Sequence, residues 1–312
     1  MESNNRYKAR TSGDHKVTKM NRKPKVSVII CAYNAAKCIN GILESLKHQT
    51  VKDFEVVVVN DGSTDNTAEI AAYSGARVIN APHQGLSATR NIGINNAHAD
   101  IVAIIDADCR ATENWIEEII KTIEANSESV VTGNTKIPKS TFIGDCISGL
   151  GYPGGGHLGF DKMWRVDAQG CTDHLAGGNC AFLKTKIQAL GAFNPKLTIT
   201  GDDVYLSKRI LESGLKIKYN PNMIMFHDAR KEIKSFIRWH YARGKGSYFF
   251  RQHVSSFGEF YKLRLWSAKN MILQYKTKPH MLIIMMPLLI TSLIVQKTGY
   301  FIQKWSKNEN EK

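Results

Sequence analysis

The chain has few cysteines, and none is arranged for a zinc ribbon. Six occur in 312 residues and no two form a C-x-x-C pair. The polar N-terminus carries no secretory pattern, so the thiols are expected to be reduced, in a cytosolic compartment. No G-x-x-x-x-G-K-[ST] loop is present. The run Gly154-Gly155-Gly156 lacks that spacing and a preceding strand, which excludes it as a phosphate cradle. There is no internal repeat. No uncharged run reaches the about 20 residues that usually cross a bilayer. The nearest approach is the 15 residues 281–295, MLIIMMPLLITSLIV.

The centre of the chain also lacks basic excess. The net charge is +14, yet residues 26–230 hold 19 Lys and Arg against 22 acids. Residues 1–25 carry a net +6 and residues 231–312 a net +11. Basic ends on an acidic core are compatible with nucleic acid or with an anionic membrane surface. The apolar run favours the membrane. Extended to Ile302 it gains the length to span, at the cost of Lys297, which can snorkel near an end. Lysines flank it on both sides, so charge does not orient it. A span, a re-entrant segment and an in-plane anchor are all open.

What is present is an alternation. Residues 1–24 are polar and basic and read as a disordered tail. Strands are expected at 26–30, 54–59, 77–80, 101–105 and 130–132. Helices are expected at 35–48, 65–74, 86–97 and 116–125. Short β-branched strands alternating with helices imply a largely parallel, Rossmann-like α/β sheet. From about residue 137 the alternation stops, and the Gly-rich stretch 140–173 reads as a mobile loop. Helical patterns return at 184–190 and 202–213. Two short strands, 216–219 and 223–226, are expected around an Asn220-Pro221-Asn222 turn. Residues 231–280 mix bases with aromatics, as interfacial helices do. The expected organisation is a tail (1–24), an α/β domain (25–230), interfacial helices (231–280), a hydrophobic membrane segment (281–302) and a polar tail (303–312).

Asp106-Ala107-Asp108 follows the apolar run 101–105. A strand there ends by presenting two carboxylates at the carboxyl edge of the sheet, where α/β ligands bind. The pair repels itself unless a cation or proton intervenes. Oxygen ligands suit Mg²⁺ or Mn²⁺ and, through them, a phosphorylated ligand. The alternative is a pair that caps a helix starting near Thr112.

Five blocks then stand in a specific order: VSVIICAYNAA, VVVVNDGSTDNT with GLSATRNIGI, the strand ending in DAD, GGNCAFLKTKIQALGAFNP, and TGDDVYLSKRI. Over roughly residues 25–245 this resembles the family 2 glycosyltransferases of GT-A fold. The resemblance implies an inverting, metal-dependent transfer from a nucleoside-diphosphate sugar (UDP-, GDP- or dTDP-linked) to a hydroxyl on a glycan or lipid-linked glycan.

It also implies roles residue by residue. Ala32, Tyr33, Asn34 and Asp61 form the nucleotide pocket, and Asp61-Gly62-Ser63 alone would read as an ordinary turn. Arg90 reaches a phosphate or the Asp pair. Asp106 faces the ribose or an ordering water. Asp108 is the main metal ligand, and His227 completes the site. The family usually shows Glu-Asp where this chain has Asp202-Asp203; the second carboxylate, Asp203, is the expected base. Asp202 also reads as a helix N-cap. Gly177, Gly178 and Asn179 are expected near the donor or acceptor sugar, with small residues allowing close backbone approach. Phe236-Ile237-Arg238-Trp239 is partly similar to the Gln-x-x-Arg-Trp motif of processive members, but Ser235 stands where Gln is expected. Single addition is therefore favoured, with Arg238 and Trp239 near the sugar. The expected setting is the cytoplasmic face of the cell membrane, in cell-surface polysaccharide or glycoconjugate assembly, without nucleic acid.

Two other classes fit the residues less well. A nucleotidyltransferase would want a Gly-rich loop with Lys or Arg directly after the first strand, where this chain has Cys31-Ala32-Tyr33-Asn34. A basic nucleic-acid-binding protein leaves the Asp pairs of an acidic core unexplained.

Overall fold

The computed structural model describes residues 23–126, 130–150, 166–197, 201–253, 268–269, 271–273 and 275–310. The basic tail, the Gly154–Gly156 run and several aromatics of the 254–267 stretch lie outside these residues.

The β-branched runs form strands because both of their faces are covered. β1 (Val26–Ala32), β2 (Phe54–Asp61), β3 (Arg77–Ala81) and β4 (Ile101–Asp106) pair in parallel, in the order β3-β2-β1-β4. The period-2 alternation of β1 sends Val28 and Ile30 into one core and Ile29 into the other. The first core lies under α1 (Ile39–Lys47), which buries Ile39, Ile42, Leu43 and Leu46, and under α4 (Trp115–Asn126). The second lies under α3 (Leu86–Asn96) and α7 (Asp202–Glu212). α2 (Thr67–Tyr73) connects β2 to β3.

Beyond β4 the sheet continues as β8 (Asn179–Leu183), β6 (Val130–Lys136), β9 (Ile217–His227) and β5 (Cys109–Ala111), with β7 (Cys171–Thr172) also on β9. β8, β5 and β7 are antiparallel to their neighbours; β6 and β9 are parallel. The chain leaves β1 toward β2 and returns to β4 on the other side, so strand order reverses around β1. Ligands bind at the carboxyl ends of strands beside such a reversal. The sheet is mostly parallel with flanking helices, as the alternation implied. α6 (Lys184–Ala189) follows β8 directly.

Three expectations are corrected. The Asp106–Asp108 pair does not cap a helix at Thr112, because the short strand β5 follows it and pairs with β9. The two strands expected around Asn220-Pro221-Asn222 are one strand. Its register on β6 shifts at Gly133/Asn134, so the Pro segment bulges without ending the ladder. Asn220 is buried and donates to Thr122 Oγ1 at 2.7 Å, which pins the bulge to α4. The 140–173 stretch is not simply a loop, because it contains α5 (Phe142–Gly149). Thr141 caps α5 by accepting from the Gly144 N–H at 3.1 Å.

Among the described residues, the C-terminal part includes two long helices, α8 (Ile233–His253) and α9 (Pro279–Asn310). With α5 they enclose a separate apolar cluster containing Cys146, Ile147, Phe236, Met281 and Met285.

Candidate active site

The register levels the strand ends. Cys31 of β1 pairs with Asp106 of β4, and Ala32 pairs with Asn60 beside Asp61 of β2. A cavity of about 520 Å³ opens here, lined by Cys31, Tyr33, Asp61, His83, Gly85 and Thr89 among others. Ala32 is buried in its floor, whereas Tyr33 is 51% exposed. The Tyr33 ring stacks on His83, with centroids 4.2 Å apart. Burial pushes the Cys31 thiol up to about 12, which makes it a neutral wall.

Asp61 is buried and multiply bonded. Its carboxylate accepts from the N–H groups of Gln84 at 2.9 Å and Gly85 at 3.1 Å, and lies 2.9 Å from His83 Nδ1. It thus holds the turn that opens α3 as well as one wall of the cavity. Asn34 is held by the neighbouring loop. Its φ is +50°, and its side-chain Oδ1 accepts from the Thr64 N–H at 2.9 Å. Its own N–H donates to Ser63 Oγ at 2.9 Å. The side chain ties the β1 and β2 loops together.

Arg90, on α3, is buried between carboxylates. It is ion-paired with Asp202 and lies 3.6 Å from Asp106. Burial pulls its guanidinium down, but Asp202 and Asp106 outweigh this and hold it above its ordinary value. Asp202 therefore serves Arg90. It is not the N-cap of α7, a position taken by Gly201 in a left-handed conformation. Desolvation pushes the Asp106 carboxyl up; Arg90 pulls it back and the Asp108 charge pushes it up again, with a net upward result.

Gly177 and Gly178 stand close to the charged side chains of the cleft. A Cβ on Gly178 would stand 2.0 Å from Asp106 Oδ2, and one on Gly177 2.8 Å from Arg90 Nη1. Only a residue without a side chain lets the backbone approach so closely. Asn179 is fully buried. Its Oδ1 accepts from Trp115 Nε1 at 2.9 Å and its Nδ2 donates to the Met223 carbonyl at 3.3 Å. These bonds hold the Asn179 side chain within the fold.

Asp106, Asp108 and His227 bring two carboxylates and an imidazole to one point, with Cys109 beside them. One ligand atom from each lies within 4.8 Å of the others. His227 arrives because β9 pairs it with Cys109 of β5. Its Nδ1 is 2.9 Å from the Asp228 carbonyl, which can only accept. The neutral ring therefore carries its proton on Nδ1 and turns the Nε2 lone pair toward Asp108 Oδ1 at 3.4 Å. Two acceptors facing each other at this distance need a proton or a cation between them. The carboxylate oxygens suit manganese or magnesium. Burial pushes the Cys109 thiol up, so at neutral pH it stays protonated.

Asp203 stands apart from the buried pair. Its side chain is partly exposed, and one oxygen lies 3.9 Å from His174 Nε2. Burial holds His174 below the ordinary imidazole value, against the pull of Asp203, so the ring is neutral beside it. Arg238 is on the exposed side of α8. Trp239 lies between two guanidinium groups, Arg230 at 5.6 Å and Arg243 at 5.1 Å from its ring centroid. Arg230 is in electrostatic range of Asp108.

His83, His174, Cys109 and Arg230 escaped the sequence reading. Only Cys109, adjacent to the Asp pair, had a local signal. The others come from loops that tertiary contacts bring to the cleft.

Comparison with known proteins agrees with this geometry. The model of glycosyl transferase family 2 matches residues 27–184. Glycosyltransferase AglE of Haloferax volcanii is 30% identical over 236 residues, covering 72% of this chain and 73% of the relative. A mannosyltransferase from Pyrobaculum calidifontis, solved with GDP-Man and Mn²⁺, superposes with a TM-score of 0.63 at 17% identity, covering 88% of each chain. S. aureus TarS with UDP-GlcNAc gives 0.55 at 16% identity, covering 92% of each. At such identities the structural likeness concerns the fold, here that of GT-A enzymes. The matched family region holds both halves of the cleft floor, the Tyr33–Asp61 cavity and the Asp106–Asp108 pair, and the chain belongs to the family 2 glycosyltransferases.

Proposed function

We propose that the protein transfers one sugar from a nucleoside-diphosphate sugar to a hydroxyl of a glycan or lipid-linked glycan, with inversion and with a divalent cation. The observation that carries this reading is the placement of the Asp106, Asp108 and His227 cluster one strand from the nucleotide-sized cavity. Cys31 lines the cavity and is the register partner of Asp106 in the cluster. The solved relatives with GDP-Man and Mn²⁺, and with UDP-GlcNAc, support the donor class.

Tyr33 and Asp61 receive the base and ribose. Asp108 and His227, with Asp106, hold Mn²⁺ or Mg²⁺. When bound, the ion offsets charge developing on the departing diphosphate. Asp203 takes the proton from the acceptor hydroxyl as its oxygen bonds the anomeric carbon and the bond to the diphosphate breaks. Arg90 is ion-paired with the buried Asp202, which leaves the partly exposed Asp203 as the carboxylate available for proton transfer. The neutral ring of His174 adds no positive charge that would weaken it as a base. The Ser235 substitution within the Arg238-Trp239 motif favours single addition. The basic apolar C-terminus favours work at the cytoplasmic face of a membrane, in surface glycan assembly.

The test is a thermal-shift and donor-hydrolysis screen of UDP-, GDP- and dTDP-sugars, with Mn²⁺, with Mg²⁺ and with chelator. Stabilisation and turnover by one donor class, lost on chelation, is expected. Equal responses with and without metal would refute the metal-dependent reading.

A further inference from the structure

α9 has two opposite faces, and both are apolar. Met281, Met285, Leu288, Ser292 and Gly299 recur at helical spacing and are buried against the rest of the protein. Ile283, Met286, Ile290, Ile294, Phe301 and Trp305 form the opposite row and are 70%, 39%, 54%, 60%, 52% and 66% exposed. Residues Pro279–Ser306 have a mean hydropathy of 1.8 in their most apolar window and are long enough to cross a bilayer. Length alone therefore does not decide how the helix meets a membrane.

The neighbouring helix decides it. α8 and α9 run alongside each other in the same direction. Phe236 and Met285 share one cluster, His240 and Gln296 are 2.6 Å apart, and the rings of Tyr248 and Tyr300 are 5.7 Å apart. The approach is close: a Cβ on Gly244 would stand 2.3 Å from the Gln296 carbonyl oxygen, and one on Gly299 2.4 Å from that of Tyr241. If α9 crossed the bilayer, this length of α8 would go with it. That length carries Arg238, Arg243 and Lys245, and α8 has no acidic residue to pair with them. Unpaired cations at the bilayer centre are costly. Lys245 lies over the ring of Tyr241 at 5.5 Å, a cation–aromatic pair that suits a headgroup layer. Lys297 breaks the outward row of α9.

We propose that α9 lies in the plane of an anionic membrane surface, its outward row sunk among the acyl chains, with α8 beside it supplying positive charge to the headgroups. This rests on the membrane attachment proposed above and refines it from anchoring in general to an in-plane helix that does not cross.

Full-length protein should float with phosphatidylcholine vesicles containing phosphatidylglycerol, far less with phosphatidylcholine alone, and less again at high salt. No flotation with either would refute membrane attachment itself. Thr277→Cys and Ser306→Cys, labelled with an impermeant maleimide on sealed vesicles and located by peptide mapping, should both react from one side. Labelling of only one end until detergent is added would overturn the in-plane placement while leaving attachment intact. Ile290→Glu/Ile294→Glu alters only outward positions. It should weaken vesicle binding at least about tenfold with an unchanged melting temperature. If the variant instead turns a dimer into a monomer in sedimentation and binds vesicles as before, the row is a self-association face and the proposal fails.

Discussion

The two ends of one sheet treat carboxylates in opposite ways. At the amino ends, Glu55 of β2 is saturated. It accepts from Ser27 Oγ at 2.5 Å, the His98 N–H at 2.7 Å and Arg77 Nη2 at 2.8 Å. Burial pushes it up, but these bonds outweigh burial and hold it below the ordinary carboxylate range. At the carboxyl ends, Asp106, Asp108, Asp202 and Asp203 converge, and Arg90 bridges only Asp202 and Asp106. Burial and mutual repulsion push Asp106 up. One end satisfies its charge within the chain and so contributes stability. The other leaves charge unsatisfied, which is what a cationic or proton-donating ligand requires.

The comparison yields predictions of decreasing size. Asp203→Asn should lower transfer by about 10²–10⁴-fold, the usual contribution of a general base. Calorimetry should find donor affinity little changed; retained turnover would remove Asp203 from the chemistry. Arg90→Met strands the buried Asp202 beside Asp106 and should cost about 3–5 kcal/mol in urea unfolding. Arg90→Met/Asp202→Asn should recover part of that loss, whereas a double variant no more stable than the single one would contradict the pairing.

Glu55→Gln tests the saturated end and should cost about 1–2 kcal/mol at neutral pH. Because its folded pKa is lowered, the stabilisation is fully present above the unfolded value of about 4.3 and is lost as pH falls through the folded value. Wild-type and variant stabilities should therefore converge in acid. A gap that persists there would mean that Glu55 acts by packing alone. Tyr33→Ala, exposed and stacked only on His83, should weaken donor binding by roughly tenfold, about 1.4 kcal/mol, with no change in melting temperature. Equal loss of stability would assign the ring to the fold.

Legibility in the sequence tracked locality. β1, β2 and β4 were readable because strands buried on both faces must be continuous β-branched runs. The Asp106–Asp108 pair was readable because it follows one of them. α5 was not, since Gly144 and Gly149 weaken its helical signal. It forms because Cys146 and Ile147 are buried against α8 and α9. The bond between Asn179 and Trp115, 64 positions apart, has no local signal in the sequence. Asp202 looked like a cap for the same reason: Arg90 is 112 residues away.

The sequence by itself determined the alternation of strands and helices, the family, and the residue types gathered at the carboxyl edge. These follow from periodicity and from spaced local motifs. Only the tertiary structure decided what each carboxylate does. Asp202 is paired off by Arg90, Asp106 is crowded by a glycine backbone, Asp108 faces a lone pair of His227, and Asp203 is left partly exposed. Charge interactions act through space over a few ångströms, and chain order does not record which groups the fold brings that close.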